Sequence, residues 1–515
     1  MALKETPVPA ERSAGFTSRR TAAPRPSCGR PPSCGRSPSR WQIPACCLLL
    51  VLLTIQVLLV PALPQPAVAG DESGSTAWPE GIIGEDRVPA PMTLPQCISA
   101  ALDANRDIAG ARQALEQARS GIDEARSGFL PNLALSGTYN FMEKTQKIEF
   151  PLPGGGVEET EMDFTRDYGL ELSLSQPLYT GGALSGSYRI SKLSRDIADA
   201  DLRRLEADVA LKVMQIFYGY LLARESVSVA EEALRTAEEF LRVVRARYDA
   251  GEASDFEVMR AEVEVSNLQP ALIIVRNAVA QAELGLRNVM GMSLGREVAF
   301  EGSFDETLGD AAEPDLAGAI DDGLERRPEM TIARANAEIA EQTLAVAKSG
   351  RLPTFAISAA YDIASDGLSV GSDEWDNTYA GYLVMSLPVF DGLKTKSQIA
   401  GSRAQIKQAE IALESLREGI ELEVRSALLA VGAAREQLKS QGKTVEVAAE
   451  GLRMANERYV QGYTTNLEVM DAQLALRRAR YSRLQALHEL NLESAKLARA
   501  TGTLLDERRK AEGRD

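Results

Sequence analysis

Arg247–Met259 reads RYDAGEASDFEVM, and Arg458–Met470 reads RYVQGYTTNLEVM. Tyr248, Gly251, Glu257 and Met259 of the first string recur in the second as Tyr459, Gly462, Glu468 and Met470, each 211 positions later. The same interval joins Pro177 to Pro388 and Gly291 to Gly502, whereas Leu130-Pro131 and Leu352-Pro353 stand 222 apart. The interval falls by 11 only once, between Pro131 and Pro177, so the first copy carries one extra stretch there. A unit of roughly 200 residues is far longer than a solenoid repeat. It is a duplicated, domain-sized element, and its two copies are expected to play equivalent structural parts.

Working outward from these strings, each copy reads helix, strand, strand, long helix, helix. Leu94–Gly128 is Ala-rich and helical and ends before Pro131, because proline disfavours helix at the residue preceding it. Strict alternation follows. Leu133, Leu135, Gly137, Tyr139 and Phe141 oppose Asn132, Ala134, Ser136, Thr138 and Asn140, and on the return strand Tyr168, Leu170, Leu172 and Leu174 oppose Gly169, Glu171, Ser173 and Ser175. In the second copy Phe355, Ile357, Ala359, Tyr361 and Ile363 form one set, and Leu383, Met385 and Leu387 carry the fourth strand's apolar face. Period-two alternation puts such sets on opposite sides of a sheet.

Ser187 to Ala250 contains one glycine, Gly219, and no proline. As a helix it is roughly 96 Å long at about 1.5 Å per residue, and its counterpart near Lys394 to Gln461 is similar. A helix of that length must run alongside others. Val227, Ala230, Leu234, Ala237, Leu241, Val244 and Tyr248 follow three-four spacing. So does the series Val258, Ala261, Val265, Leu268, Leu272, Val275, Val279, Ala282, Leu286, Val289, echoed by Val469, Ala472, Leu476 and Ala479. Such a repeat keeps an apolar seam toward a partner helix. Gly251 and Gly462 fall at the turns between paired helices. Leu94–Gly128 and Ser254–Met290 together approach the length of the long helix. The expectation is that these two lie end to end beside it, with Pro270 kinking the second.

Ahead of the repeats, residues 1–45 hold eight Lys or Arg and two acids, followed by the apolar run Leu48–Val60 and Ala67-Val68-Ala69. This is the pattern of a secretory signal; an uncleaved anchor is the alternative. Without residues 1–69, 57 basic residues become 49 and 73 acidic ones become 71, a net charge of −22 against −16 for the whole chain. That balance argues against a nucleic-acid partner. Cys28, Cys34, Cys46 and Cys47 precede the expected cleavage, which leaves Cys97 as a core thiol without a disulfide partner.

Four strands with an apolar face pose a physical problem. In lipid every backbone group must be paired, and an open sheet leaves two bare edges. A transmembrane barrel starts at about eight strands, so the chain is expected to assemble, each subunit donating a four-stranded arc whose polar face lines a wet interior. The intervening stretches, roughly Glu143–Asp167 with Gly154-Gly155-Gly156 and the shorter Ser365–Asn377, read as surface loops. The fold class is therefore mainly α with a small β part, internally duplicated, with long paired helices plus four strands of a larger transmembrane β-barrel; the family resemblance given below implies that the helices close into a long α-helical barrel. The divisions are 1–69 targeting region, 70–92 linker, 93–302 first repeat, 303–313 linker, 314–502 second repeat and 503–515 tail.

From about Thr93 to Gly502 the chain resembles the TolC-like outer-membrane efflux channels of Gram-negative bacteria. The resemblance rests on Leu130-Pro131 and Leu352-Pro353, on SQPLYTGG at Ser175–Gly182 with its partner SLPVFDG at Ser386–Gly392, and on the duplicated helix turns. It implies a homotrimer with a 12-stranded barrel in outer-membrane lipid and a long periplasmic helical tube. It also implies partners at the tip near Gly251 and Gly462, namely a periplasmic adaptor protein and an inner-membrane pump of RND, ABC or MFS type. It places a closed iris at that tip. Glu257 and Glu468 match its acidic position, Asp471 a second acid one turn on, and Tyr459 a tyrosine that hydrogen-bonds across the iris. An arginine found in some members two residues after the tip glycine is Thr464 here.

The acids also have a family-independent reading. Glu468 and Asp471 share a helix face and in a trimer would form a ring favouring cations. They would equally suit a helix N-terminus capped by Thr464 or Thr465. No nucleophile motif, metal-ligand cluster or cofactor fingerprint stands out, and His488, the one histidine, sits mid-helix. The chain is thus expected to be no enzyme and to need no cofactor. The alternative is a periplasmic coiled-coil scaffold without a pore, which accounts for the heptads but not for the duplicated strands.

Overall fold

The computed structural model describes residues 91–141, 146–151, 157–162, 166–295, 297–309, 315–365 and 376–506. The leader, Gly154–Gly156 and residues 366–375 of the second hairpin loop lie outside them. In chain order the elements are α1 (Leu94–Ala104), α2 (Arg106–Ser127), β1 (Asn132–Phe141), β2 (Gln146–Pro151), β3 (Val157–Met162), β4 (Arg166–Tyr179), α3 (Ala183–Asp249) and α4 (Asp255–Val289). The second series is α5 (Leu316–Arg326), α6 (Pro328–Ser349), β5 (Thr354–Ser365), β6 (Asp376–Ser386), α7 (Lys394–Val460) and α8 (Asn466–Ala500).

Helices α3 and α7 each run 67 residues, about 100 Å. Along α3 lie α2 and α4, as the lengths required, together with α6 and α8 of the other copy. The heptad seams carry the burial: Ala237, Leu241 and Val244 on α3, Ala261, Leu268 and Leu272 on α4, and Val469, Leu476 and Ala479 on α8 are all buried. Tyr248, at the end of the first seam, is exposed. Helix α4 continues through Pro270 to Val289.

Two expectations need correction. The helix expected over Leu94–Gly128 breaks at Asn105, whose side-chain oxygen accepts from Asp107 N at 2.8 Å and Ile108 N at 3.3 Å while Nδ2 donates to Val289 O at 2.9 Å. A residue that caps a new helix cannot also continue the old one. The break recurs at the duplicate position, Arg327, where Pro328 starts α6. The stretch expected as a plain loop, Glu143–Asp167, holds the antiparallel ladder β2–β3, with Gln146 opposite Met162 and Pro151 opposite Val157. The acids and glycines in that stretch hid two short strands.

The main sheet runs β1-β4-β5-β6, antiparallel throughout. Its register aligns the alternating sets. Leu135 pairs with Leu172, Leu172 with Tyr361 and Tyr361 with Tyr379, and one row along Leu133 meets Leu174. A continuous apolar face therefore crosses all four strands, and Leu133, Leu135, Tyr139, Leu383 and Met385 on it are exposed. The opposite face carries Asn132, Ser136, Thr138, Glu171, Ser173, Ser358, Asp362 and Thr378. Strands β1 and β6 are bare edges. No described helix is long and apolar enough to cross a membrane.

The largest core cluster, built on Cys97, Ile108, Val213, Phe217, Leu221, Leu286, Met290 and Phe300, lies where α1, α3 and α4 meet. Burial pushes the Cys97 thiol up to about 11, which keeps it unreactive at neutral pH. His488 packs edge-on against Phe304 at 6.5 Å between ring centres.

Two glycines here offer a controlled comparison. Gly251 (φ 79°) and Gly291 (φ 68°) both end a helix in the left-handed region. A methyl group at Gly251 meets open space, whereas at Gly291 it collides with Ala104 O and lies 3.0 Å from Ala104 C. Gly251→Ala is expected to cost about 1 kcal/mol, and Gly291→Ala at least about 3 kcal/mol because backbone must also shift. Thermal unfolding of the two variants checks the order.

Candidate functional site

The α3–α4 and α7–α8 turns lie about 100 Å along the long helices from the sheet. Gly251 and Gly462 make these turns with φ of 79° and 77°. Beneath them Phe240, Leu241, Val244, Ala261, Tyr459 and Val469 form an apolar cluster drawn from both copies. Tyr459 is 3% exposed, and Phe240 lies against its ring at 5.2 Å between centres.

The polar edge of this cluster joins one hairpin to the other. Tyr459 OH donates to Glu257 Oε2 at 3.1 Å, and Asn466 Nδ2 donates to Glu257 O at 3.0 Å. Arg247 Nη1 donates to Tyr459 O at 2.6 Å, and its guanidinium lies 4.7 Å from the centre of the Tyr459 ring. The cation thus sits at the carbonyl-rich end of α7, where the helix dipole favours it, and over the electron-rich ring face. Further from the turns, Arg477 pairs with Glu264 at 3.0 Å and Arg480 with Glu232 at 2.5 Å. The Arg480 hydrogen bond holds the Glu232 carboxyl below its usual range.

Of the residues singled out in the sequence, Glu257 and Tyr459 come together. Glu468 and Asp471 stay on the exposed surface of α8. Glu468 contacts Thr464 Oγ1, and Thr465 occupies the N-cap of α8 without a side-chain cap bond. Sequence reading missed Arg247 and Asn466. Arg247 lies in the first quoted string, and its duplicate Arg458 gave it the look of a shared helix-end residue. Only the geometry reveals that the two arginines differ.

Burial, followed by the hydrogen bond and charge of Glu257, pushes the Tyr459 phenol from 10.0 up to about 12. A raised folded value means that the folded state keeps its proton while the unfolded chain loses it. Tyr459 therefore contributes stability that is present below pH 10 and lost as pH rises toward 12. Burial also raises Tyr218 and Tyr220, so alkaline titration followed by tyrosine absorbance is expected to show a group of late-ionising phenols, one of which Tyr459→Phe removes.

A second polar cluster lies 36 residues down α7 from Tyr459, at Glu423. The Arg327 side chain is 6% exposed and pairs with Glu329 at 2.9 Å and Glu423 at 2.5 Å. Arg499 pairs with Asp208 at 2.8 Å, Glu329 at 3.0 Å and Glu423 at 3.4 Å. The network ties α3, α6, α7 and α8 together.

A family model described as "Outer membrane efflux protein" matches residues 97–292 and 319–503. The pyoverdine export outer membrane protein OpmQ of Pseudomonas aeruginosa is 25% identical over 407 residues, covering 76% of this chain and 83% of that protein. The outer membrane protein OprJ of the same organism is 23% identical, covering 82% and 88%. Among solved structures, CusC superposes with a TM-score of 0.69 at 18% identity, covering 82% of this chain and 95% of that one. VceC of Vibrio cholerae gives 0.66 at 17% identity, covering 79% and 96%.

Proposed function

The chain belongs to the outer membrane efflux protein family, and from that membership we propose that it is the exit channel of a tripartite efflux or type I secretion system. It is an outer-membrane protein with a long periplasmic portion. Three subunits pool their sheets into one barrel, the polar faces line the pore, and the helical hairpins continue it toward the inner membrane. Movement through it is passive. Energy comes from an inner-membrane pump, met through a periplasmic adaptor at the turns carrying Gly251 and Gly462. The repeats over 93–302 and 314–502 act as equivalent donors of one strand pair and one helical hairpin each.

One observation carries this reading: an unbroken apolar face across four antiparallel strands that end in two bare edges. A soluble scaffold would expose that face to water at a cost of roughly 25 cal/mol per Å². Fractionation separates the two. Recovery as heat-modifiable trimers in the outer membrane supports the channel, and recovery in the soluble periplasm opposes it.

The hairpin turns act as the gate. Tyr459, Glu257, Arg247 and Asn466 latch the α7–α8 hairpin to its neighbour, and an adaptor opens the tip by releasing them. Glu468 and Asp471 face the aqueous axis as rings of negative charge that favour cations. Glu468→Ala with Asp471→Ala is expected to weaken cation preference in planar-bilayer reversal potentials; unchanged selectivity would remove both residues from the gate.

A further inference from the structure

The chain is acidic, yet the charge reverses where helix joins sheet. The four joining stretches, residues 125–142, 172–195, 342–361 and 392–409, hold ten Lys or Arg and no Asp or Glu, in a sequence with 57 basic and 73 acidic residues. On the long helices Arg189 and Lys192 of α3 and Lys394, Lys396 and Arg403 of α7 are exposed. Among the described residues none of these five forms an ion pair. Further along the same helices arginines are paired, as Arg203 is with Asp199 and Arg425 with Glu421, both at 2.6 Å.

The placement runs against local helix physics. The positive end of the helix dipole favours acids in the first turn, and α2, α4, α6 and α8 supply them as Asp107, Asp255, Glu329 and Glu468. Helices α3 and α7 have none there, and α7 opens with Lys394 and Lys396. Spacing gathers the charge on one side. Arg189 and Lys192 are three apart and share a face. Adding 211 to Ser185 and Lys192 gives Lys396 and Arg403, so the duplicate face of α7 is basic too. This face differs from the packed sides of α3, where Gly186 lies against Val346 of α6 and Leu184 against Gly128 at the end of α2.

The surroundings are those of a membrane interface. Lys192 Nζ lies 4.5 Å from the centre of the Tyr188 ring, and Tyr188 meets Phe129 edge-on at 6.1 Å. Phe129, Leu130 and Tyr179, at the same end of the sheet, are exposed. An apolar body with a cationic tip lets a lysine bridge hydrocarbon and water. Both long helices leave the sheet N-terminus first, so their side chains lean back toward it. Lys396 begins about 3 Å and Arg189 about 9 Å along its helix, beside a headgroup layer roughly 5–8 Å thick.

We propose that these five residues bind the phosphate groups of anionic phospholipids in the leaflet at the helical end of the sheet. This rests on the channel reading above, which sets the sheet in lipid, and adds the class of lipid the chain selects. A phosphodiester supplies the counter-charge that the neighbouring sequence withholds, at the height where the basic side chains lie.

The test uses the purified full-length protein in vesicles of phosphatidylethanolamine and phosphatidylglycerol. Trace spin-labelled phosphatidylglycerol or phosphatidylcholine reports the lipid held at the protein surface, and conductance across the same membranes reports insertion. The native chain is expected to hold the anionic probe roughly fivefold more strongly than the zwitterionic one, with the ratio falling toward parity in about 0.5 M salt. Arg189→Gln, Lys192→Gln, Lys394→Gln, Lys396→Gln and Arg403→Gln together should abolish the preference, whereas Lys192→Arg with Lys396→Arg should keep it. Arg189→Gln with Lys192→Gln alone should lower it about twofold, which keeps the test decisive if the larger change impairs insertion. Lys439→Gln with Lys443→Gln, exposed on α7 but at least 45 residues from Lys394, should leave it unaltered. A conducting native chain without preference, or a preference that survives the substitutions, overturns the lipid belt and leaves the channel standing. An intact preference with reversal potentials shifted toward cations in the variant overturns it as well, and places the residues in the pore. A native chain that neither inserts nor conducts overturns the channel and the belt together.

Discussion

Replacing Tyr459 by Phe and Arg247 by Ala together is expected to turn a mostly closed channel into a mostly open one. Planar-bilayer recordings of the purified trimer should show the change as higher conductance and longer open times. The magnitude follows from the contacts removed. A hydrogen bond to a charged group contributes about 1.5–3 kcal/mol, and the Tyr459–Glu257 bond is of that kind, on a side chain 3% exposed. The guanidinium over the Tyr459 ring adds about 0.5–2 kcal/mol, with its bond to the Tyr459 carbonyl besides. Removing about 3 kcal/mol of closed-state preference shifts the closed-to-open ratio by roughly 100-fold. Phenylalanine keeps the packing against Phe240, so the change acts on the polar contacts rather than the cluster. Tyr248→Phe supplies the control, because that duplicate tyrosine is 45% exposed and should leave conductance unaltered. Intact trimers with unchanged conductance in the double variant would falsify the latch.

The duplication explains why so much could be read in advance. Two copies of one pattern act as two independent observations of each element. The four alternating strands, the 67-residue helices and the turns at Gly251 and Gly462 all came from signals seen twice. The features that escaped are those in which the copies diverge. The helix break is capped by Asn105 in one copy and made at Arg327-Pro328 in the other, so no common string marked it. The β2–β3 ladder lies in the hairpin stretch that is 11 residues longer in the first copy. At the turns the copies share Arg247 and Arg458, but only Arg247 faces a buried tyrosine across the hairpins. Glu257 and Tyr459 were identified through a family resemblance. Arg247 was not, because its work depends on which hairpin lies beside which, a tertiary fact that spacing along the chain does not contain.

The proposed latch need not be strong, because the Arg327–Arg499 network ties the same helices together elsewhere, and that network should be the more costly site to break. Glu423 and Tyr459 are 36 residues apart on α7, about 54 Å, so a small rotation at the Arg327–Arg499 network becomes a large displacement at the turn. Arg327→Met with Arg499→Met is expected to destabilise the fold by about 3 kcal/mol, since it leaves the largely buried Glu329 carboxylate without a cation. Exposed Arg453→Met, which removes only surface pairs with Glu450 and Glu457, should leave the melting temperature close to that of the native chain. The pH dependence distinguishes loss of charge compensation from loss of packing. In the native chain burial pushes the Glu329 carboxyl up, but the Arg327 hydrogen bond and the neighbouring charges outweigh it and hold the group below 4.5. That group's stability is present above pH 4.5 and lost as pH falls through its lower folded value. In the double variant burial, the largest single influence on the group, is opposed only by the Glu329 backbone hydrogen bond, so the folded value rises above the unfolded one and the sign reverses. Stability should then fall as pH rises from 4.5 toward neutrality, and Glu329→Gln in that background should abolish the slope. A double variant whose melting temperature tracks the native pH profile would assign the network a packing role alone.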